Sequence, residues 1–321
     1  MSEPPAPGLK LGVLAWNQFT DWPSLRDVGV LVDELGYDSL WTWDHLYPIV
    51  GDPDGPMFEG YMTLAAWAAL TKRVTLGLMV GANTFRNPAL VAKMVTTLDH
   101  ISGGRAYLGI GGAWFETEHT AFGIPFGASP GERLRWFDEA VELMRGMLHD
   151  ERTSARGQFY QAKDVVNNPP PLQEPLPILI GGSGERKTLN TVAKYADAWN
   201  TGGGIERVQQ KDEVLRRWCE EVGRDESEIE RTLQGGSVVI RDTVEEAQRA
   251  GEAIAQQNGL DGFNGPAETP EMTAERLLPQ IELGFHHVYF DCPAPYDRET
   301  LERLISDVKP LLERAVAKPT A

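Results

Sequence analysis

The dipeptide Asp44-His45 closes the run Ser39-Leu-Trp-Thr-Trp, whose residues otherwise read as buried core. An acid and an imidazole are costly to bury unless each finds a partner, and an imidazole near a carboxylate can be tuned across neutral pH to give and take a proton. Two readings of the pair stand side by side: an acid/base unit, or a local cap by Asp44 with no chemistry attached. Three further stretches have binding chemistry. Gly181-Gly182-Ser183-Gly184, followed by Glu185-Arg186-Lys187, offers unobstructed backbone N–H groups at a helix start. That suits a phosphate, although it equally fits a plain strand-to-helix turn, and the Gly-Lys-Ser/Thr ending of a Walker loop is missing. "GIGGAW" (109–114) lacks the third glycine of the dinucleotide fingerprint. "GLMVGANTFRNP" (77–88) is rich in small residues, so that backbone could approach a flat ring, or simply turn into a proline-started helix. Arg86, Arg186 and Lys187 could assist an anion and also fit solvated charges at helix starts. The other histidines, His100, His119, His149, His286 and His287, show no His-x-His or HExxH spacing, so no metal centre is expected.

Something must hold these segments at one place, and the hydrophobic pattern supplies it. Short apolar runs at 10–16, 38–43, 74–80, from 105, 177–181, 198–200, 233–240 and 287–290 alternate with helical spacing at 25–35, 62–70, 88–101, 131–148, through 189–193, 206–222, 244–257 and 301–312. Eight strand-then-helix units predict an α/β fold of the (β/α)8 TIM-barrel type, as one domain over 1–321. The rhythm breaks at 150–176, where "NNPPPLQEP" reads as an extended excursion inserted on the barrel after the fourth helix. In such barrels the site forms at the carboxyl ends of the strands. Trp16-Asn17, Asp44-His45, the segment 80–83, Gly111 to Trp114, Gly181 to Gly184, Asn200 and Asp291 all fall there.

A chain of 321 residues, 41% hydrophobic, can bury a large core. Its net charge of -17, from 47 acidic and 30 basic residues, opposes a general grip on nucleic acid or an anionic membrane, so neither is expected as a partner. No apolar run approaches eighteen residues and "MSEPPAPG" lacks the features of a secretory signal, which leads to the expectation of a cytoplasmic protein. Two cysteines, Cys219 and Cys292, sit in a context that favours no disulfide.

Taken together, "GYDSLWTWDHL" (36–46), the long segment from Leu76 to Phe126, "SPGERL" (129–134) and "PILIGGSGERKTLNTVAKYADAWN" (177–200) resemble the bacterial-luciferase-like superfamily, within it the deazaflavin oxidoreductases that use coenzyme F420. The resemblance implies a barrel, usually a homodimer, with a tricyclic ring across its mouth and a small-molecule substrate beside it. It implies that Asp44 and His45 meet ring and substrate, His45 as acid/base and Asp44 setting its tautomer or anchoring the ring. By the same likeness Met79, Val80, Ala82, Asn83, Gly111, Gly112, Ala113 and Trp114 contact the cofactor, with a non-proline cis peptide at Met79-Val80, and Gly181, Gly182, Ser183 and Gly184 hold its phosphate. Trp16, Trp43, Trp114 and Phe115 would form apolar walls. Trp114 departs from the sugar-phosphate dehydrogenase branch, which carries a glutamate there. An FMN-dependent monooxygenase of the same superfamily is the alternative, and a metal-dependent barrel hydrolase or a non-catalytic cofactor carrier are the readings from other classes.

Overall fold

The structure, a computed structural model, describes residues 8–317. The first unit is β1 (Lys10–Ala15) and α1 (Trp22–Leu35), the second β2 (Ser39–Thr42) and α2 (Gly60–Leu70). β3 (Thr75–Leu78), β4 (Gly81–Ala82) and α3 (Pro88–Ser102) follow, then β5 (Leu108–Gly111), α4 (Glu116–Phe122) and α5 (Pro130–His149). A hairpin, β6 (Thr153–Arg156) with β7 (Gln161–Val165), precedes β8 (Ile178–Gly181), α6 (Thr188–Tyr195), β9 (Ala198–Gly202) and α7 (Ile205–Val222). The chain ends with β10 (Glu230–Ser237), β11 (Val239–Ile240), α8 (Val244–Gln257), β12 (Ala267–Glu268), α9 (Pro270–Glu282), β13 (His287–Cys292), α10 (Arg298–Arg303), a π-turn at 304–308 and α11 (Lys309–Val316).

Nine parallel strands form one sheet in the order β3-β2-β1-β13-β10-β9-β8-β5-β4. Its two end strands, β3 and β4, are halves of a single stave, parted at the cis peptide Met79-Val80. β4 pairs with β5 at Gly81↔Ile110, and Leu76 of β3 exchanges backbone hydrogen bonds with Arg105 and Tyr107, so β5 and the residues leading into it seal the ring against both halves. The result is an eight-staved (β/α)8 barrel. Strand burial explains why the sequence runs rather than alternates: β2 and β5 are buried at every position, as expected where helices cover the outer face and side chains fill the inner one.

Helix boundaries follow local chemistry. Asp21 caps α1 by accepting from the Ser24 N–H, and Gly36 ends it in the left-handed region at φ 90°. Asn87 caps α3 ahead of Pro88, and Ser129 caps α5 ahead of Pro130. Large rings close the barrel centre: Trp41 packs against Tyr289 at 5.1 Å and Tyr107 at 5.5 Å between centroids. Beneath them Ser39 Oγ meets His287 Nε2 at 2.8 Å. Glu230 lies nearby; burial works against its charge, but His287 and Lys10 hold its carboxyl down at about 2. With the middle filled, open space remains at the strand carboxyl ends.

Several expectations change. The third run ends at Leu78 and resumes at Gly81 rather than continuing to residue 80. The run at 233–240 divides into β10 and β11, and β11 leaves the barrel to pair with β12. The 150–176 excursion contains the antiparallel β6–β7 hairpin, whose mostly exposed residues carry a weak hydrophobic signal. The short helix α4 was unanticipated because its seven residues span barely two turns.

Candidate active site

Asp44 and His45 leave β2 side by side and turn to different partners. His45 Nδ1 donates to Glu118 Oε1 at 2.9 Å, while the other carboxylate oxygen accepts from the Leu46 N–H at 2.8 Å. Glu118 is 1% exposed, on α4. A carboxylate can only accept, so the proton of a neutral His45 sits on Nδ1, and Nε2, which has no partner among the described residues, is left as the basic atom. The rings of Trp114 and Phe115 stand edge-on to the imidazole at 5.7 and 6.0 Å.

Asp44 does not orient His45, contrary to one of the two roles expected of it. Its carboxylate accepts from the Ala82 N–H at 2.9 Å and from both terminal nitrogens of Arg86 at 2.8 and 3.0 Å. Arg86 also reaches Glu59 at 2.6 Å and lies over the Tyr61 ring at 4.9 Å. Burial pushes the Asp44 carboxyl above its ordinary value against the pull of Arg86. Burial likewise works against the Arg86 charge, but Asp44 and its neighbours prevail and hold the guanidinium above its usual range. Arg86 is therefore no solvated helix-start charge. It ties β2 to the loop after β4, a fork geometry that lysine could not reproduce. The same loop is pinned again where Thr84 Oγ1 meets His119 Nε2 at 2.6 Å, with His119 Nδ1 donating to the Phe115 carbonyl at 2.7 Å.

The two walls enclose a cavity of about 410 Å³ at the barrel mouth. Eleven of the fourteen residues expected at the site border it: Asp44, His45, Met79, Val80, Ala82, Gly111, Gly112, Ala113, Trp114, Gly181 and Gly182. Asn83, Ser183 and Gly184 stand behind it. The Asn83 N–H donates to Gly111, Ser183 Oγ accepts from Arg207, and the Gly184 carbonyl accepts from Leu189. Val80 rests between two glycines; a Cβ on Gly111 or Gly181 would come within 2.7 or 2.8 Å of its side-chain carbons. Around Val80 the lining is therefore bare backbone, which presents flat surface and amide groups instead of side chains.

Trp43 and Leu14 contribute to the lining, and Trp16 stacks on Trp43 at 4.7 Å. Trp114 is 62% exposed at the rim. Sequence reading missed Glu118 and underrated Arg86. The available signal for Glu118 was an acid four residues beyond Trp114 in a loop at the mouth, but nothing local points it at residue 45. Among the described residues no three His, Cys, Asp or Glu side chains gather in a metal-binding arrangement. Nor is any helix of the described residues long and apolar enough to cross a membrane.

An eight-staved barrel whose mouth joins a buried acid–imidazole pair to glycine loops defines a barrel with a built pocket. The luciferase-like monooxygenase family model matches residues 8–307, and the chain belongs to that family. It is 29% identical to an F420-dependent glucose-6-phosphate dehydrogenase of Kineococcus radiotolerans, covering 95% of this chain and 97% of that one. An enzyme of the same description from Microbacterium testaceum is 25% identical over 96% and 99% of the two chains. Among solved structures, an F420-dependent secondary alcohol dehydrogenase in complex with an F420-acetone adduct superposes with a TM-score of 0.80 at 18% identity, covering 95% of this chain and 99% of that one. A monooxygenase of Streptomyces bottropensis superposes at 0.77, with 20% identity, covering 94% and 99%.

Proposed function

We propose that this protein is a coenzyme F420-dependent oxidoreductase, transferring a hydride between the deazaflavin and a small organic substrate of the alcohol/carbonyl or activated double-bond type. The observation that carries this reading is the placing of His45 Nε2, held by Glu118, in the same cavity as the bare backbone of Gly111, Gly112, Gly181 and Gly182. Full-length relatives named as F420-dependent dehydrogenases support the choice of cofactor.

The residues present fit such a group. Glycine floors at the ends of β5 and β8 suit a flat heterocycle, and the Gly182 loop at the start of α6, with Arg207 bonded to Ser183 nearby, suits a phosphate. Met79, Val80, Ala82, Asn83, Ala113 and Trp114 would complete its surroundings, and Ser183 and Gly184 the phosphate loop. When bound, the deazaflavin supplies a ring carbon that carries the hydride. The protein's part is to orient the substrate, exclude water with Trp43 and Trp114, and move one proton. His45 moves that proton at Nε2; Glu118 keeps the Nδ1 proton in place and compensates the imidazolium when it forms. Asp44, locked by Arg86, fixes the Ala82 backbone and so the glycine-rich side of the pocket.

Titrating the purified protein separately with F420 and with FMN, and following fluorescence quenching, tests the cofactor. Saturable quenching by F420 is expected; binding of FMN alone would replace this reading by the monooxygenase one. His45→Ala should retain F420 binding while turnover falls by about 10²- to 10⁴-fold. Unchanged turnover would remove His45 from the chemistry.

A further inference from the structure

Cations at the barrel mouth are distributed very unevenly. The segments 16–21, 43–60 and 112–129, which follow β1, β2 and β5, together with 234–240 (the end of β10 through β11), 258–268 (the end of α8 through β12) and 291–297 (the end of β13 and the loop after it), contain no lysine or arginine. They are interlocked into one wall. Gln18 bonds the backbone at Ile49 and Val50, Phe19 pairs with Pro56, and Gly51 abuts the Asn258 carbonyl. Arg86, the cation after β4, is consumed by Asp44 and Glu59. Arg241 and Arg276, beyond β11 and on α9, are spent on Asp297 and Glu268. Arg133, at the start of α5, lies over the Phe126 ring, donates to the Phe126 carbonyl and does not border the cavity. Arg186, Lys187 and Arg207 stand around the glycine loop after β8 and the start of α7.

No lysine or arginine borders the cavity that holds the reactive imidazole. Around it the cavity offers Trp43, Ile49, Trp114 and Met79, and its carboxylates are already committed, Asp44 to Arg86 and Glu118 to His45. A phosphate dianion brought next to His45 would lose hydration with no lysine or arginine in the cavity lining to replace it, inside a protein of net charge -17. A free ammonium would find no unpaired carboxylate within the cavity. A neutral carbonyl or hydroxyl needs only one hydrogen bond, from or to Nε2, with apolar surface for the rest.

We infer that the substrate is an uncharged, largely apolar alcohol, ketone or enone, and that sugar phosphates are excluded although relatives at 25–29% identity are named for glucose 6-phosphate. This rests on the oxidoreductase reading for the word substrate, but the charge selectivity of the pocket can be measured without it. Cyclohexanone, cyclohexyl phosphate and cyclohexylammonium share one ring and differ in charge. Each is titrated against the tryptophan fluorescence of the protein in inorganic phosphate buffer, which saturates the cationic loop after β8. Cyclohexanone should quench saturably, and the phosphate and the ammonium should bind at least ten-fold more weakly. Equal or tighter binding of either charged ring would overturn the inference. With F420 bound, kcat/KM for cyclohexanol should exceed that for glucose 6-phosphate by 100-fold or more, and comparable values would overturn it too. Absence of F420 quenching, by contrast, would defeat the cofactor reading while the three-probe binding series still decides the charge selectivity.

Discussion

The two sides of the barrel mouth are built by different means. Beyond the end of β2 the groups are side chains held by side chains: His45 by Glu118 of α4, Asp44 by Arg86 of the loop after β4, with partners 73 and 42 positions apart in the chain. At the ends of β8 and β9 the surface is backbone, shaped by Gly181 and Gly182 and closed by a helix start, with exposed cations around it. A wall that must place a proton to within a hydrogen bond needs buried partners, and these are costly when broken. A wall that receives a flat or anionic group needs only unobstructed amides, and local turn geometry provides them.

The largest test of this contrast is Arg86→Met. It strands Asp44 as a buried, unpaired carboxylate and should cost about 3–5 kcal/mol in urea unfolding, with much of the loss recovered in the Arg86→Met, Asp44→Asn double variant. Arg207→Ala, on the exposed side, should change stability by less than about 0.5 kcal/mol. Equal losses for the two arginines would erase the distinction.

Next in size is Glu118→Gln, expected to lower turnover about 10- to 100-fold with little change in F420 binding. The amide has one acceptor where the Leu46 N–H and His45 Nδ1–H need two, so an amide that serves Leu46 pushes the imidazole proton onto Nε2. Glu118→Asp, which keeps both acceptors on a shorter arm, should recover part of the rate. Full activity in the glutamine variant would mean that Nε2 is not the working atom.

The smallest effect concerns Asp291 at the end of β13, where burial pushes the carboxyl up to about 6 against the hydrogen bond from Gln234. Its folded value lies above the ordinary 3.8, so the folded state holds the proton more tightly and stability falls as pH rises from about 4 through about 6. Asp291→Asn should therefore stabilise the protein at pH 8 by about 1–2 kcal/mol, after allowance for partial exposure, and by almost nothing at pH 4. A gain independent of pH would show that the carboxyl is not penalised by burial.

Much of this architecture is legible in the order of residues. Uninterrupted apolar runs such as "KLGVLA", separated by capped helices, predict a parallel barrel, and once the barrel is granted every strand end is known to face the mouth. That is enough to put Asp44, His45 and the glycine loops at one pole. Weakly patterned pieces, α4 and the β6–β7 hairpin, escaped notice since a short or exposed element leaves little hydrophobic periodicity.

The sequence by itself determined the periodicity, the caps and the position of the Asp-His pair at a strand end, because each of these depends on neighbours within one element. Only the closed barrel decided that Glu118 serves His45, that Arg86 locks Asp44, and that no lysine or arginine borders the cavity around the imidazole. Such pairings depend on where distant strand ends meet in space, and hydrogen bonds a few ångströms long leave no trace in residue spacing.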